Sequence, residues 1–158
     1  MKRFLLFTVA GILAASTLPG CKKSGSDPDP VPVAKKISVK RISLDAVDLN
    51  SLVYNSGTKP VIRVVFDQPA MPATVSSAVQ LLNAAGGTAS VTTTLKNNDS
   101  VLLIQPTADL DYLSKFKFTI NANLKSASGG ALISAVNQSF VTKIDSAAKF
   151  PLITDDAL

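Results

Sequence analysis

Lys59-Pro-Val-Ile-Arg-Val-Val-Phe-Asp-Gln-Pro-Ala-Met71 is the stretch on which the fold turns. Within Pro60–Asp67, Ile62, Val64 and Phe66 alternate with Val61, Arg63 and Val65. A period of two puts the first set on one face of a β-strand and the second set on the other. Phe66 on the all-apolar face marks that face as the core side.

Short segments of the same kind recur along the chain, separated by turn residues, which is the pattern of an all-β sandwich. Ile37–Leu44 reads as the first strand. Its apolar phase flips at Lys40-Arg41, from Ile37 and Val39 to Ile42 and Leu44, which predicts a bulge or a change of sheet. Ala78–Leu82 is short and apolar, and Asn83–Gly87 is a turn. Thr88–Leu95 is β-branched, with Ala89, Val91, Thr93 and Leu95 on one side. Lys96-Asn97-Asn98-Asp99 suits a hairpin, because Asn and Asp tolerate positive φ. Ser100–Gln105 follows, closed by Pro106. Lys115–Asn121 turns Phe116, Phe118 and Ile120 inward, and Asn137–Lys143 buries Phe140. The expectation is a seven-stranded antiparallel β-sandwich over 37–145, with one helical turn at Pro72–Ser77. Ile62, Val64, Phe66, Leu102, Ile104, Phe116, Phe118, Ile120 and Phe140 should share one core.

Composition narrows the function. Of 158 residues 46% are hydrophobic and 17% charged, which fits a folded domain. The sequence has no His, no Trp and one Cys, and its 11 acidic residues are all Asp. His-based triads, Cys/His zinc sites and an internal disulfide are therefore excluded. Asp109 and Asp111 could be read as paired carboxylates, but they sit in a polar turn. Asp45 with Asp48, and Asn97-Asn98-Asp99, could offer oxygen ligands, but without the spaced pattern of a Ca²⁺ loop. Lys115, Lys117 and Arg63 suggest a basic face on one sheet. Tyr54 and Tyr112 lie too far apart in sequence to read as an aromatic platform. No catalytic residue, metal ligand or cofactor site emerges, and the chain is not expected to be an enzyme.

The Lys59–Met71 segment resembles the opening of the bacterial Ig-like domain of the S-layer-protein (SbsA) type. The likeness continues through Val101-Leu-Leu-Ile-Gln-Pro106, Leu110, Phe116-x-Phe118-x-Ile120, Leu124–Gly130 and Ser139-Phe-Val-Thr142. It implies a spacer or presentation module without catalytic residues. The family usually has Tyr where Phe116 stands, so a tyrosine-corner hydrogen bond would be missing. Asp99-Ser100-Val101 and Asp145-Ser146-Ala147 resemble the Asp-Ser-apolar sites of O-glycosylation in some surface bacteria.

Residues 1–20 read as a signal peptide. Met1-Lys2-Arg3 precedes an apolar run from Phe4 to Leu18, too short to span a bilayer comfortably. Leu18-Pro-Gly-Cys21 resembles the bacterial lipobox, which implies cleavage before Cys21 and acylation of its thiol and new amino group. Loss of Lys2 and Arg3 would lower the formal charge from +5 to +3, which leaves little case for nucleic acid as a partner. Residues 21–36 then form an acylated Cys and a Pro/Ser/Lys tether reaching about 45 Å if extended. The expected partners are the membrane, through that anchor, and a glycan or envelope protein. The expected location is the cell envelope, at a bacterial outer membrane.

Residues 146–158 read as a tail or linker stub. Ile153-Thr-Asp-Asp-Ala-Leu158 is similar to the start of a glucoamylase-like domain of the β-1,2-glucanase type, which implies a glycan-degrading domain as the thing presented. The other reading of the whole chain is a free-standing surface binding or adhesion lipoprotein.

Overall fold

A computed structural model describes residues 33–147. The strand read from Lys59–Met71 is β4 (Ile62–Phe66), with Ile62, Val64 and Phe66 buried and Arg63 exposed. Its neighbours are β1 (Val39–Leu44) and β8 (Val101–Pro106), both antiparallel to it. The sheet is completed by β2 (Val47–Asp48) beyond β1 and by β7 (Val91–Lys96) beyond β8, giving the order β2-β1-β4-β8-β7. The register of β1 against β4 shifts between Val39 and Arg41, at the phase flip that the sequence carries.

The second sheet runs β3-β10-β9-β5-β6. Its members are β3 (Val53–Ser56), β10 (Val136–Thr142), β9 (Lys115–Ile120), β5 (Val79–Asn83) and β6 (Thr88–Ala89). A seven-residue helix, α1 (Pro72–Ala78), precedes β5 and buries Val75 and Ala78. Pro72 stands in its first turn, where a missing N–H costs nothing.

The fold is therefore an all-β sandwich, but with ten strands rather than seven, and not wholly antiparallel. Three elements make up the difference. The expected strand Thr88–Leu95 is two strands, because the chain changes sheets at Ser90. The pair Val47-Asp48 folds back on Ser43-Leu44 after Asp45 and Ala46 take positive φ. Both of its residues are exposed, so no burial pattern marks it. Val53–Ser56 runs parallel to β10, with a register shift near Asn55 at φ 61°.

All nine residues expected in the core are buried in one cluster between the sheets. Phe116 and Phe140 face each other across β9 and β10, ring centres 5.8 Å apart and 22° from parallel. Such a cross-strand aromatic pair adds about 0.5–1.5 kcal/mol beyond its burial. The hairpin at Asn97, Asn98 and Asp99 has φ of 51°, 51° and 61°, as the residue types require.

Candidate functional site

The chain enters and leaves the sandwich at opposite ends. At the entry, Ile37 donates to the Ala131 carbonyl at 3.2 Å and accepts from the Ile133 N–H at 2.9 Å, just before β10 begins. At the exit, just after β10 ends, Lys143 donates to the Ser56 carbonyl at 2.7 Å and accepts from Leu113 N–H at 2.9 Å. Strand β10 thus lies between the two ends. At about 3.3 Å per residue its seven residues set them roughly 20 Å apart.

The entry pole is built as a clasp. The Ser126 hydroxyl donates to the Lys35 carbonyl at 2.6 Å and accepts the Gly130 N–H at 3.0 Å. The Ser128 hydroxyl accepts the Lys35 N–H at 3.0 Å. Gly130 lies so close that a Cβ there would stand 2.1 Å from the Lys35 carbonyl oxygen. Beside it the Asp67 carboxylate accepts the Ser38 N–H at 2.7 Å, while the Asp67 N–H donates to the Ser38 carbonyl at 3.1 Å. The bond from Ser38 holds the Asp67 carboxyl below the usual carboxylate range, with a smaller contribution from Lys40.

The exit pole has its own corner bond. Phe116 has no hydroxyl to make one, but buried Thr142 supplies the link from β10. Its hydroxyl donates to the Asp111 carbonyl at 2.5 Å and accepts the Ser114 N–H at 2.9 Å. This ties the loop before β9 to the end of β10. Leu113 in that loop holds φ 47° with its side chain 68% exposed, next to Ile144, 55% exposed. Tyr112 is also exposed there.

Three of the acidic candidates are engaged in local structure. Asp45 accepts the Val61 N–H at 2.8 Å, and Asp48 pairs with Arg41, whose guanidinium it holds above its usual range. Asp109 accepts from the Thr58 hydroxyl at 3.0 Å. Among the described residues no group of three or more His, Cys, Asp or Glu could hold a metal ion. Arg63 belongs to β4, whereas Lys115 and Lys117 belong to β9 in the other sheet, so the expected single basic face does not exist. Ser100, one of the two glycosylation candidates, donates its hydroxyl to the Asn97 carbonyl at 2.6 Å; Ser146 is exposed. A depression of about 440 Å³ on the outer face of the first sheet is lined by Arg41, Ser43, Arg63, Val65 and Leu103. Cys21 and Ile153–Leu158 lie outside the described residues.

Comparison with curated protein sequences found no match. Among solved structures the sandwich is similar to part of the native α-2-macroglobulin of E. coli. The TM-score is 0.51 at 13% identity over 70% of this chain, which spans only 6% of that protein. It is also similar to CopC from Methylosinus trichosporium OB3b, with TM-score 0.51 at 11% identity, covering 72% of this chain and 99% of that one. A crystal structure of the N-terminal part of the bacterial S-layer protein SbsC aligns at TM-score 0.48 and 11% identity, over 69% of this chain and 24% of that one. At such identities the likeness speaks to fold alone. The family model of the bacterial Ig-like domain matches residues 42–142, nearly all of the sandwich, and the chain belongs to that family.

Proposed function

We propose that this protein is a non-catalytic, lipid-anchored module that spaces or presents a partner domain at the bacterial cell envelope. The observation that carries the reading is the placement of entry and exit at opposite poles, with β10 between them. A domain threaded in this way adds its own length between whatever precedes it and whatever follows it. Membership of the bacterial Ig-like family supports a structural or surface role, since its domains are generally non-catalytic.

The exposed Leu113, Ile144 and Tyr112 beside the exit give a following domain apolar surface to pack on. Leu113 holds a left-handed backbone that costs a branched side chain energy, and such strain concentrates at working sites. That the partner degrades glycans rests on the resemblance of Ile153–Leu158 alone. The anchor rests on the lipobox, in which the only cysteine of the chain stands at the acylated position. Several acyl chains at about 0.8 kcal/mol per buried CH₂ would make it effectively permanent.

Cys21→Ser tests the anchor. The wild type is expected in the detergent phase, with acyl mass on the peptide that begins at residue 21. The variant is expected in the soluble fraction. Equal membrane retention of both, with no acyl mass on the wild type, would refute the anchor. The purified protein is expected to turn over no β-glucan, and turnover abolished by one Asp substitution would refute the non-catalytic reading.

A further inference from the structure

Exposed lysines gather at one end of the sandwich. The entry pole carries Lys35, Lys36, Lys40, Lys96 and Lys125, all with exposed side chains. Their places follow from the backbone. Lys35 is clasped by Ser126 and Ser128, Lys36 follows it, and Lys40 lies close enough to Asp67 to lower its pKa. Lys96 stands opposite Val101, which pairs with Val65 beside the Ser38 end of the first sheet. The Lys125 carbonyl accepts from Met71 N–H at 2.8 Å.

Two aspartates share this pole. Asp67 is engaged with Ser38, and Asp99 lies in the hairpin turn. The exit pole is closer to balance. Asp45, Asp48, Asp109, Asp111 and Asp145 share it with Lys59, Lys115 and Lys143, and Arg41 and Arg63 line one depression with Asp45. Among the described residues the only ion pair is Arg41 with Asp48, so no entry-pole lysine lies within ion-pair distance of a described carboxylate. Two apolar side chains project beside them, Val33 at 87% exposure and Ile133 at 60%.

Exposed lysines interspersed with protruding aliphatic side chains suit a surface of phosphate headgroups over hydrocarbon. The clasp adds rigidity, because Lys35 and Lys36 are fixed beside Lys125 instead of trailing on the tether. We infer that the entry pole is a docking surface for anionic phospholipid headgroups, which seats the sandwich against the bilayer and points its exit pole away. The inference rests on the membrane-tethered reading. It differs from it in one respect: an extended tether would let the domain stand off from the membrane, and the docking pole holds it down.

The test uses residues 21–158 with Cys21→Ser, so that no acyl chain contributes, on phosphatidylglycerol-containing and pure phosphatidylcholine vesicles. Binding is expected to the anionic vesicles only, and to weaken as salt rises. Lys35→Glu/Lys36→Glu/Lys125→Glu is expected to weaken it by at least about tenfold, since each lysine near such a surface contributes roughly a fivefold factor. Lys59→Glu/Lys115→Glu/Lys143→Glu at the other pole is the charge-matched control and is expected to bind within about twofold of the parent. A Lys→Gln version of the first triple keeps the test valid if charge reversal disturbs folding, and is also expected to weaken binding. Equal binding to both vesicles, or equal loss in the two Glu triples, overturns the inference. Acyl mass at Cys21 in the wild type is scored independently, so failure here is distinct from failure of the anchor.

Discussion

Asp67 shows how one side chain sets the start of the fold. It follows the last residue of β4, and its carboxylate and N–H together grip both backbone groups of Ser38, 29 residues earlier. The bond from Ser38 lowers its pKa, so the sign of the pH effect is fixed. The contribution is complete above the ordinary Asp value of about 3.9, and is lost as pH falls below it through the lowered folded value. Asp67→Asn should cost about 1 kcal/mol at neutral pH and flatten the acid limb of a melting-temperature profile. A profile parallel to that of the wild type at every pH would show that the carboxylate's charge adds nothing to the bond. The sequence marks Asp67 as an acidic residue after a strand, but gives no sign of Ser38 as its partner. The Thr142 corner leaves no mark in the sequence for the same reason. The missing Tyr at Phe116 was visible, whereas the replacement came from another strand.

At the scale of elements, what was legible was whatever alternates and is buried. Strands β4 and β9 show strict alternation because one face meets the core. The Lys40-Arg41 bulge was visible as a flip of phase. Strand β2 was not legible because both its residues are exposed, and β3 because only its ends, Val53 and Ser56, turn inward, which is no period of two. The Ser90 break was hidden for a subtler reason. Ala89, Val91, Thr93 and Leu95 keep one parity and all are half-buried, although the first belongs to β6 and the others to β7. A chain can therefore change sheets without changing phase. In the sequence Ser126–Gly130 shows only as part of the family likeness, yet its clasp holds Lys35 to the sandwich. Gly130→Ala would force a Cβ into the Lys35 carbonyl and should cost about 1–3 kcal/mol. Hydrogen exchange at the Ile37 amide, which bonds Ala131 next to Gly130, should rise while core amides of β9 change less. Unchanged exchange at Ile37 would mean that the clasp does not hold the entry.

For the whole molecule, composition spoke more clearly of what is lacking than of what is present. The absence of His and Glu is plain in the sequence, and Asp45, Asp48, Asp67 and Asp109 are engaged in backbone bonds, one ion pair and one hydroxyl bond. The polarity of the sandwich was not legible, because it depends on which loops share an end. Lys35 and Lys125 are far apart in sequence and meet only through the clasp; Asp45, Asp109 and Asp145 share a pole only once the strands are paired. The spacer reading depends on the same topology, since it requires entry and exit to lie at opposite ends. Spin labels at Lys36→Cys and Ile144→Cys, in the Cys21→Ser background, measure that separation directly by pulsed dipolar spectroscopy. The length of β10 plus the label arms predicts a single population at roughly 20–35 Å. A distribution centred below about 15 Å would place the two ends side by side and contradict the account.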